Sequence, residues 1–224
     1  MLIIENKDLT KFKEYVDRRI PVLIKNGLDE FNQLQNWTED YIVNKFGHLE
    51  CKISNHSRPV RSKTKTTYRK FFSNKLRDFY SFTRIKYDKK NKLFIDDITF
   101  PNKFLDELDL DKHIFFAGPK DTGALPHEHG NALNLLVSGK KKWVMFDTYL
   151  EKGKEYQTYY YKRYTSKHKS IDWFNTEYDK LSSDIKLYEC VQESNDIIFI
   201  PKGFSHTTLN KTKVLGIVLE FNCH

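Results

Sequence analysis

Three histidines have the residue type and the spacing that a metal site needs. His127 and His129 form an H-x-H pair, and His206 ends a second informative segment. On a β-strand the side chains alternate between two faces, so both imidazoles of an H-x-H pair point to the same side. Two such nitrogens can chelate a first-row metal ion, and a third ligand can come from a distant strand. We therefore predict one metal ion bound by His127, His129 and His206, with coordination positions left open for reactants.

The segments around these histidines carry a longer pattern. A Gly-x-Lys-x-Trp segment over residues 139–143 follows the pair, and an Asp-x-x-x-x-Pro turn over residues 196–201 precedes His206. Taken singly, an H-x-H pair in a chain with 8 histidines carries little weight, and a lone histidine is more often a core or surface residue. The same pieces in this order are far more specific. Trp143 is expected to pack in the core.

Short β-like runs dominate the sequence from His113 onwards. Turn residues such as Gly118-Pro119 and Ser194-Asn195 separate them, and this spacing is typical of an all-β sandwich or barrel. A Tyr- and Lys-rich insert spans about 149–185, with a helix expected near 173–181. The predicted strand runs are 113–117, 132–138, 142–146, 186–192, 196–200, 204–209 and 213–221.

The first 112 residues mix helical and strand patterns. Apolar spacing predicts a helix over 8–19, and Thr38 is expected to cap a second helix that ends at Gly47. We expect a single domain over 1–224, with an N-terminal part (1–112) and a β core (113–222). The remaining predictions are a strand over 20–24, a strand over Leu49–Ser54, a basic loop over 57–70, a helix over Tyr68–Tyr80 and a charged turn over Lys86–Asn91.

The composition suits an intracellular protein. The three cysteines have no C-x-x-C spacing, which argues against a disulfide framework or a zinc ribbon. The N-terminus becomes charged too early for a signal peptide, and no apolar run approaches the roughly 20 residues of a membrane span. We therefore expect a soluble protein of the cytoplasm, with the nucleus as the alternative, and no membrane partner.

A net charge of +8 permits, but does not require, an acidic partner. The basic runs Arg58–Lys70 and Lys162–Lys169 lie near tyrosines in the sequence, and basic surfaces with stacking aromatics suit RNA or acidic peptides. Solvated loops are the simpler interpretation of both runs. A protein or peptide partner is expected first, with RNA as the alternative.

The motifs resemble a known group in order and spacing: the JmjC group of cupin-fold, Fe(II)- and 2-oxoglutarate-dependent oxygenases, with a layout closest to its small hydroxylase-type members. The group's motifs are H-x-D, a later Asn, G-x-K-x-W and then G-D-x-x-x-x-P-x-x-W-x-H. Segments that begin at Pro21, Trp37 and Tyr41 also resemble the group's lead-in, so the resemblance covers most of the chain. The residues that match the motifs are His127, Asn134, Gly139, Lys141, Trp143, Asp196, Pro201 and His206.

The resemblance implies a fold and two cofactors. The expected fold is mainly β, a double-stranded β-helix of the cupin or jelly-roll type, with N-terminal α-helices packed outside. The expected cofactors are Fe(II) and 2-oxoglutarate. Lys141 would pair with the distal carboxylate of 2-oxoglutarate, because an ammonium inside a barrel needs an anion. Asn134 would hydrogen-bond near the metal or the co-substrate. Thr122 would replace the threonine that the group often has where this chain has Ala124.

The chain departs from the group's pattern at several positions. His129 occupies the slot of an acidic ligand, Asn195 replaces the turn glycine, and Phe204 replaces a tryptophan. The implied activity is a 2-oxoglutarate-dependent hydroxylase acting on a protein side chain or another macromolecule. One alternative is a three-histidine cupin dioxygenase acting on a small molecule, which would need no carboxylate anchor at Lys141. The other is a non-catalytic cupin-like binding module.

Overall fold

Two facing β-sheets enclose an apolar interior. Among the described residues, one sheet has nine strands and the other has four. Residues of both sheets, including Phe116 and Ile198 of the larger and Trp143 and Met145 of the smaller, form one buried cluster between them. The computed structural model describes residues 1–5, 11–29, 31, 33–54, 64–73, 76, 79–98, 108–163, 169–181 and 185–222.

Strands account for most of the regular structure. In the larger sheet their order is β1-β2-β11-β8-β13-β6-β5-β3-β4, and in the smaller it is β10-β9-β12-β7. The strands are β1 Leu2–Glu5, β2 Val22–Lys25, β3 Glu50–Ser54, β4 Thr64–Thr67, β5 Tyr80–Ile85, β6 Asp109–Gly118, β7 Gly123–His127, β8 Asn131–Ser138, β9 Lys140–Asp147, β10 Tyr188–Glu193, β11 Ile197–Ile200, β12 Phe204–Asn210 and β13 Val214–Asn222.

Short helices occur between the strands along the chain. Two short 3-10 helices span Leu34–Asn36 and Tyr178–Lys180. No helix in the described ranges has the length and apolar character needed to cross a membrane. The α-helices are α1 Phe12–Asp17, α2 Glu39–Phe46, α3 Tyr68–Phe71, α4 Lys92–Asp96, α5 Glu151–Arg163 and α6 Ser170–Thr176.

The mainly β, jelly-roll-type fold is confirmed. Each of the seven predicted runs after residue 112 overlaps an observed strand. The strand Gly123–His127 is not among the seven predicted runs, although the H-x-H argument assumed a strand there; its sequence contains a glycine and a proline that usually interrupt strands. Both residues are tolerated here because this strand lies at the end of the four-stranded sheet.

The N-terminal part differs from the prediction. It does not only supply helices outside the core, since β1 and β2 extend one end of the nine-stranded sheet and β5, β3 and β4 extend the other. The helix expected over Tyr68–Tyr80 ends at Phe71, and Tyr80 begins β5, which pairs with β6. Part of the expected loop over 57–70 is also a strand, β4, paired with β3. These pairings are long-range, and tertiary contacts override local helical spacing.

Helix α2 was predicted correctly because its ends are set by local residues. Thr38 Oγ1 accepts a hydrogen bond from the backbone N–H of Tyr41 at 3.1 Å, and Glu39 and Asp40 occupy the first turn. A capping hydroxyl and acidic residues at the N-terminus both stabilise a helix. The helix ends at Gly47, as predicted.

The insert between β9 and β10 covers the outer face of the smaller sheet. Leu125 and Leu209 of that sheet pack against Tyr160 of α5 and Trp173 of α6 in a separate buried cluster. The predicted helix near 173–181 corresponds to α6 and the 3-10 helix after it, whereas α5 was not predicted. With both faces covered, the smaller sheet holds its inward side chains in a fixed interior.

Candidate metal centre

The three predicted ligands lie together at one end of the barrel interior. His127 ends β7 and is directly paired with His206 of β12. The ring centroids of His127 and His206 are 4.2 Å apart, and those of His129 and His206 are 4.6 Å apart. One ligand atom from each of the three histidines lies within 4.8 Å of the others. This spacing allows all three side chains to bind a single ion.

Backbone carbonyls fix the tautomer of each imidazole. Nδ1 of His127 lies 2.8 Å from the carbonyl oxygen of Leu125, Nδ1 of His129 lies 2.8 Å from that of Gly130, and Nδ1 of His206 lies 3.1 Å from that of Phe204. A carbonyl oxygen can only accept, so each Nδ1 carries the proton when the ring is neutral. Each Nε2 therefore presents a lone pair, as metal-binding histidines require.

His129 lies just beyond the end of β7, yet its ring stays on the side of the other two. The intervening Glu128 points elsewhere, and its carboxylate accepts a hydrogen bond from Thr148 Oγ1 at 2.7 Å. The alternation predicted for the H-x-H pair therefore holds as far as His129, two residues past the end of β7. Glu128 does not take part in the cluster of three ligand atoms.

Burial keeps His206 ready to bind a cation. The pKa of His206 is lowered well below its usual value, first because the side chain is removed from water and then because His127 and His129 lie close to it. A low pKa keeps the imidazole neutral near pH 7, and only the neutral form can bind a metal.

Lys141 lies inside the barrel, where no carboxylate of the described residues pairs with it. It is 2% exposed, and its Nζ lies 3.8 Å from the centroid of the Phe116 ring and 5.6 Å from that of Trp143. Within the described ranges its ammonium makes no hydrogen bond or ion pair. Desolvation lowers the pKa of Lys141 to about 7. A buried ammonium in this state is costly unless an anion reaches it.

Asn134 also faces the interior with unused polar atoms. It is 3% exposed, and its Oδ1 is buried without a hydrogen-bond partner in the described part of the chain. Its neighbour Gln192 is fully used, since the Gln192 amide donates to the carbonyls of Asn134 and Asp196 and accepts from Trp143 Nε1 at 2.9 Å. Trp143 is thus a core residue, as its motif position suggested, and it is held by a polar bond.

Thr122 is placed near the interior but is already hydrogen-bonded. Its hydroxyl donates to the carbonyl of Pro119 at 2.7 Å and accepts from Asn210 Nδ2 at 2.9 Å. A co-substrate contact from Thr122 stays a prediction. Thr122 and Pro119 together hold the side chain of Asn210 in the strand next to Lys141.

Two interior residues, Asn210 and Tyr80, were not predicted from the sequence. Asn210 is directly opposite Lys141 in the β9–β12 register, and its Oδ1 is buried without a partner among the described residues. Tyr80 is 2% exposed, packs in the interior cluster, and has a pKa raised by burial. The predicted helix ends at Tyr80, whereas the alternation of aromatic and polar residues over 80–83 could have indicated a strand.

The Asp-x-x-x-x-Pro turn has a structural role. Asn195 adopts φ of +71°, which asparagine tolerates. The Asp196 carboxylate accepts from the backbone N–H of Glu193 at 2.9 Å and from Lys25 Nζ at 2.8 Å. These bonds fix the chain before β11, and the following turn leads into β12 and His206.

Arg19 secures the end of the barrel nearest the histidines. Its guanidinium donates to Asp147 Oδ1 at 2.7 Å and to the carbonyl of Lys202 at 3.1 Å, and it lies 3.9 Å from the centroid of the Tyr149 ring. Gly203 follows Lys202 with φ of +78°, and an added Cβ there would lie 2.5 Å from the same ring. This network links the N-terminal region to the turn before His206.

The basic runs contribute little to the described site. Residues 58–63 and 164–168 lie outside the described residues, as do the side chains of residues 161–163. Among the tyrosines that lie near these runs in the sequence, Tyr68 and Tyr160 are buried in cores, while Tyr159 is 44% exposed. Stacking of RNA bases on Tyr68 or Tyr160 is therefore ruled out by burial.

Comparison with known proteins gives one family and several distant relatives. A family model described as a cupin-like domain matches residues 8–221. The chain is 24% identical over 227 residues to arginine-specific demethylase JMJ22 of Arabidopsis thaliana, which covers 95% of this chain and 43% of the relative. It is 28% identical over 240 residues to the bifunctional arginine demethylase and lysyl-hydroxylase psr-1 of Caenorhabditis briggsae, covering 93% and 57%. It is 24% identical over 246 residues to lysine-specific demethylase JMJ21 of Arabidopsis thaliana, covering 96% and 24%. The chain thus spans less than two thirds of each relative.

Proposed function

The chain belongs to the cupin-like domain family, and from this premise we propose that it is an Fe(II)- and 2-oxoglutarate-dependent oxygenase that hydroxylates a protein side chain. The observation that carries the proposal is the pairing of two features in one interior. Three histidine lone pairs converge at one end, and the unpaired ammonium of Lys141 lies deeper in the same barrel. A metal ion and a dicarboxylate would satisfy both.

The donor set fits a redox-active first-row metal. Three neutral imidazoles suit iron among other metals, and a three-ligand set leaves coordination positions for a bidentate co-substrate and oxygen. We assign His127, His129 and His206 as the metal ligands and as the catalytic residues. The carbonyl acceptors on each Nδ1 would hold the rings in the binding tautomer.

The interior also fits a dicarboxylate. Lys141 would pair with its distal carboxylate, and this ion pair would remove the cost of an isolated buried charge. Asn134 and Asn210 flank the interior with amide oxygens that lack partners among the described residues. The Asn134 amide can rotate to donate to a bound carboxylate. The Asn210 amide nitrogen already donates to Pro119 and Thr122, so its oxygen would accept from a water next to the ligand. Tyr80 and Thr122 are further candidates for this pocket.

When bound, iron and 2-oxoglutarate supply the oxygen activation needed to hydroxylate a C–H bond. The protein's own part is to position and to shield. Lys141 orients the dicarboxylate, the three imidazoles hold the ion, and Phe116 and Trp143 keep water from the ammonium. A low-dielectric pocket strengthens each of these charged contacts.

The relatives support a protein substrate. The relatives JMJ22 and psr-1 are named as arginine demethylases, and psr-1 also as a lysyl-hydroxylase. We propose that this chain also acts on a protein, without assigning the type of amino acid that it modifies. We further propose that residues 1–224 form one domain and that the protein acts in the cytoplasm or the nucleus.

One observation favours a second candidate function. The third ligand is the imidazole of His129 rather than a carboxylate, so the ligand set is neutral throughout. Direct dioxygenases with three histidines bind a small substrate without 2-oxoglutarate. The buried ammonium of Lys141 argues for the first function, because a direct dioxygenase leaves it without a partner.

The deciding experiment is aerobic incubation of the full chain with Fe(II) and 2-oxoglutarate, with succinate as the readout. We expect slow succinate formation even without a protein substrate. His127→Ala should abolish it, whereas His48→Ala, a change at an exposed histidine outside the site, should leave it unchanged. Succinate formation by the wild-type protein no faster than by His127→Ala would contradict the proposal.

A further inference from the structure

Gly130 differs from every other glycine of the chain. A Cβ built at any of the other eight would lie within 3.0 Å of another atom, for example 2.1 Å from the Thr208 carbonyl oxygen at Gly123. A Cβ at Gly130 would meet nothing within 4 Å, and its φ lies outside the left-handed region. Neither packing nor backbone conformation therefore requires a glycine at this position.

Gly130 lies directly beside the metal centre. It follows His129 in the chain, and its carbonyl oxygen accepts the Nδ1 proton of that ligand at 2.8 Å. The residue is exposed, and its own N–H has no hydrogen-bond partner in the ranges that the structure describes. An open peptide unit thus lies where a substrate would approach the ion.

The neighbouring parts of this end of the barrel, which we call the mouth, are held in place. The side chain of Asn131 accepts from the backbone N–H of Lys202 at 2.9 Å, and the Thr148 hydroxyl lies 2.8 Å from the carbonyl of Gly203. Tyr149 is stacked under Arg19. The rim of the mouth is therefore fixed, and Gly130 is a glycine there that neither packing nor backbone conformation requires.

We propose that Gly130 is a specificity-determining residue, whose missing side chain lets the extended main chain of a polypeptide pass close to the metal. This inference rests on the proposed function and names how its protein substrate is admitted. The Gly130 N–H would donate to a main-chain carbonyl of the substrate, an acceptor that every residue of a polypeptide offers. Glu128, two residues before Gly130, is exposed and acidic, and an acidic residue beside the ion suits a polypeptide better than the phosphate backbone of a nucleic acid.

The test measures access to the metal in the full chain. Co(II) replaces iron, and its d–d absorption reports any fourth ligand that reaches the ion. Two probes carry the same imidazole: free imidazole, and a pentapeptide with one central histidine flanked by alanines. The variants are Gly130→Ala and Gly130→Leu. The matched control is Ser138→Leu, which adds the same side chain at an exposed position at the other end of β8.

We expect Gly130→Leu to weaken binding of the pentapeptide at least tenfold and binding of free imidazole less than twofold. Gly130→Ala should weaken the pentapeptide by a smaller factor, and it keeps the test open if the leucine variant fails to fold. Ser138→Leu should change neither value. The inference is overturned if Gly130→Leu alters neither probe, if it weakens both equally, or if the pentapeptide never reaches the wild-type Co(II) centre.

Failure of this inference can be told from failure of the proposed function. Succinate formation with Fe(II) and 2-oxoglutarate tests the reaction and does not depend on access by a peptide. Wild-type protein that forms succinate but shows no difference between the two probes in Gly130→Leu would reject the role of Gly130 alone. If Gly130→Leu weakens binding of the pentapeptide but not of free imidazole, and the wild-type protein forms no succinate, the role of Gly130 is supported and the proposed oxygenase reaction is rejected.

Discussion

Lys141 and Asp97 are both buried charged residues, but they differ in whether a partner pairs with the charge. Asp97 is 4% exposed, and its carboxylate accepts from Trp37 Nε1 at 2.9 Å, from the Tyr41 hydroxyl at 2.9 Å and from Lys45. Lys141 is 2% exposed and has no such partner among the described residues. A buried charge costs free energy unless it is paired, so the paired one stabilises the fold and the unpaired one indicates a ligand.

The two charged residues lie in different parts of the molecule, Lys141 inside the barrel and Asp97 outside it. Asp97 joins α2 to the end of α4 in the layer of helices outside the larger sheet. Asn134 and Asn210, like Lys141, lie inside and have amide oxygens without partners in the described chain. The polar groups around Asp97 are thus paired with one another, whereas those beside Lys141 keep amide oxygens that a bound ligand or water could reach.

The largest effect is expected for Lys141→Met. Removal of the ammonium should weaken binding of 2-oxoglutarate about a hundredfold, because a dicarboxylate would then be buried without its counter-ion. The same change should raise the free energy of unfolding of the ligand-free protein by about 1–4 kcal/mol. Calorimetric binding and thermal unfolding measure the two quantities.

Lys140→Met is the control for that experiment. Lys140 is adjacent in the chain, but its side chain is 55% exposed and pairs with Glu193 on the surface. It should change neither the affinity nor the stability appreciably. If Lys141→Met lowered stability while leaving the affinity intact, Lys141 would be a structural residue and the contrast with Asp97 would collapse.

Asp97→Ala should lower the stability of the protein and leave the binding of 2-oxoglutarate unchanged. Loss of the carboxylate leaves the buried indole N–H of Trp37 without its acceptor, so the free energy of unfolding should fall by about 2–3 kcal/mol. The affinity for 2-oxoglutarate should stay within a factor of two. Urea denaturation and calorimetry check these values, and a tenfold loss of affinity would show that the two regions are not independent.

The most gradual effect is a pH dependence of co-substrate binding, which should be smallest near pH 7. Desolvation lowers the pKa of Lys141 to about 7 in the ligand-free protein, so the side chain is largely neutral above that pH. Binding of a dianion needs the ammonium and must then take up a proton. The affinity should therefore fall by up to about tenfold for each pH unit above 7.

Lys141→Arg provides the comparison for the pH profile. A guanidinium stays protonated throughout this range, so any affinity that the variant retains should be nearly flat between pH 7 and 9. Titrations of the wild-type and variant proteins across that range measure both slopes. Parallel slopes would assign the pH dependence to another group.

The sequence predicted the parts of the site that depend on local patterns. The side-chain alternation around His127 and the motif order placed the three histidines together, and the G-x-K-x-W segment indicated Lys141. Tyr80 and Asn210 were out of reach because their positions depend on strand pairing between segments far apart in the chain. The same reason explains the helix that was wrongly extended to Tyr80 and the strands that the N-terminal part adds to the larger sheet.

The pairing of β7 with β12 has a consequence for synthesis of the protein. His127 and His129 emerge from the ribosome well before His206, because β8, β9, the insert, β10 and β11 come between them. Contacts between distant segments form slowly, since a long loop must close first. A nascent chain can therefore bring the three histidines together only after β12 has been translated, so loading of the proposed ion would be a late step in the maturation of this protein.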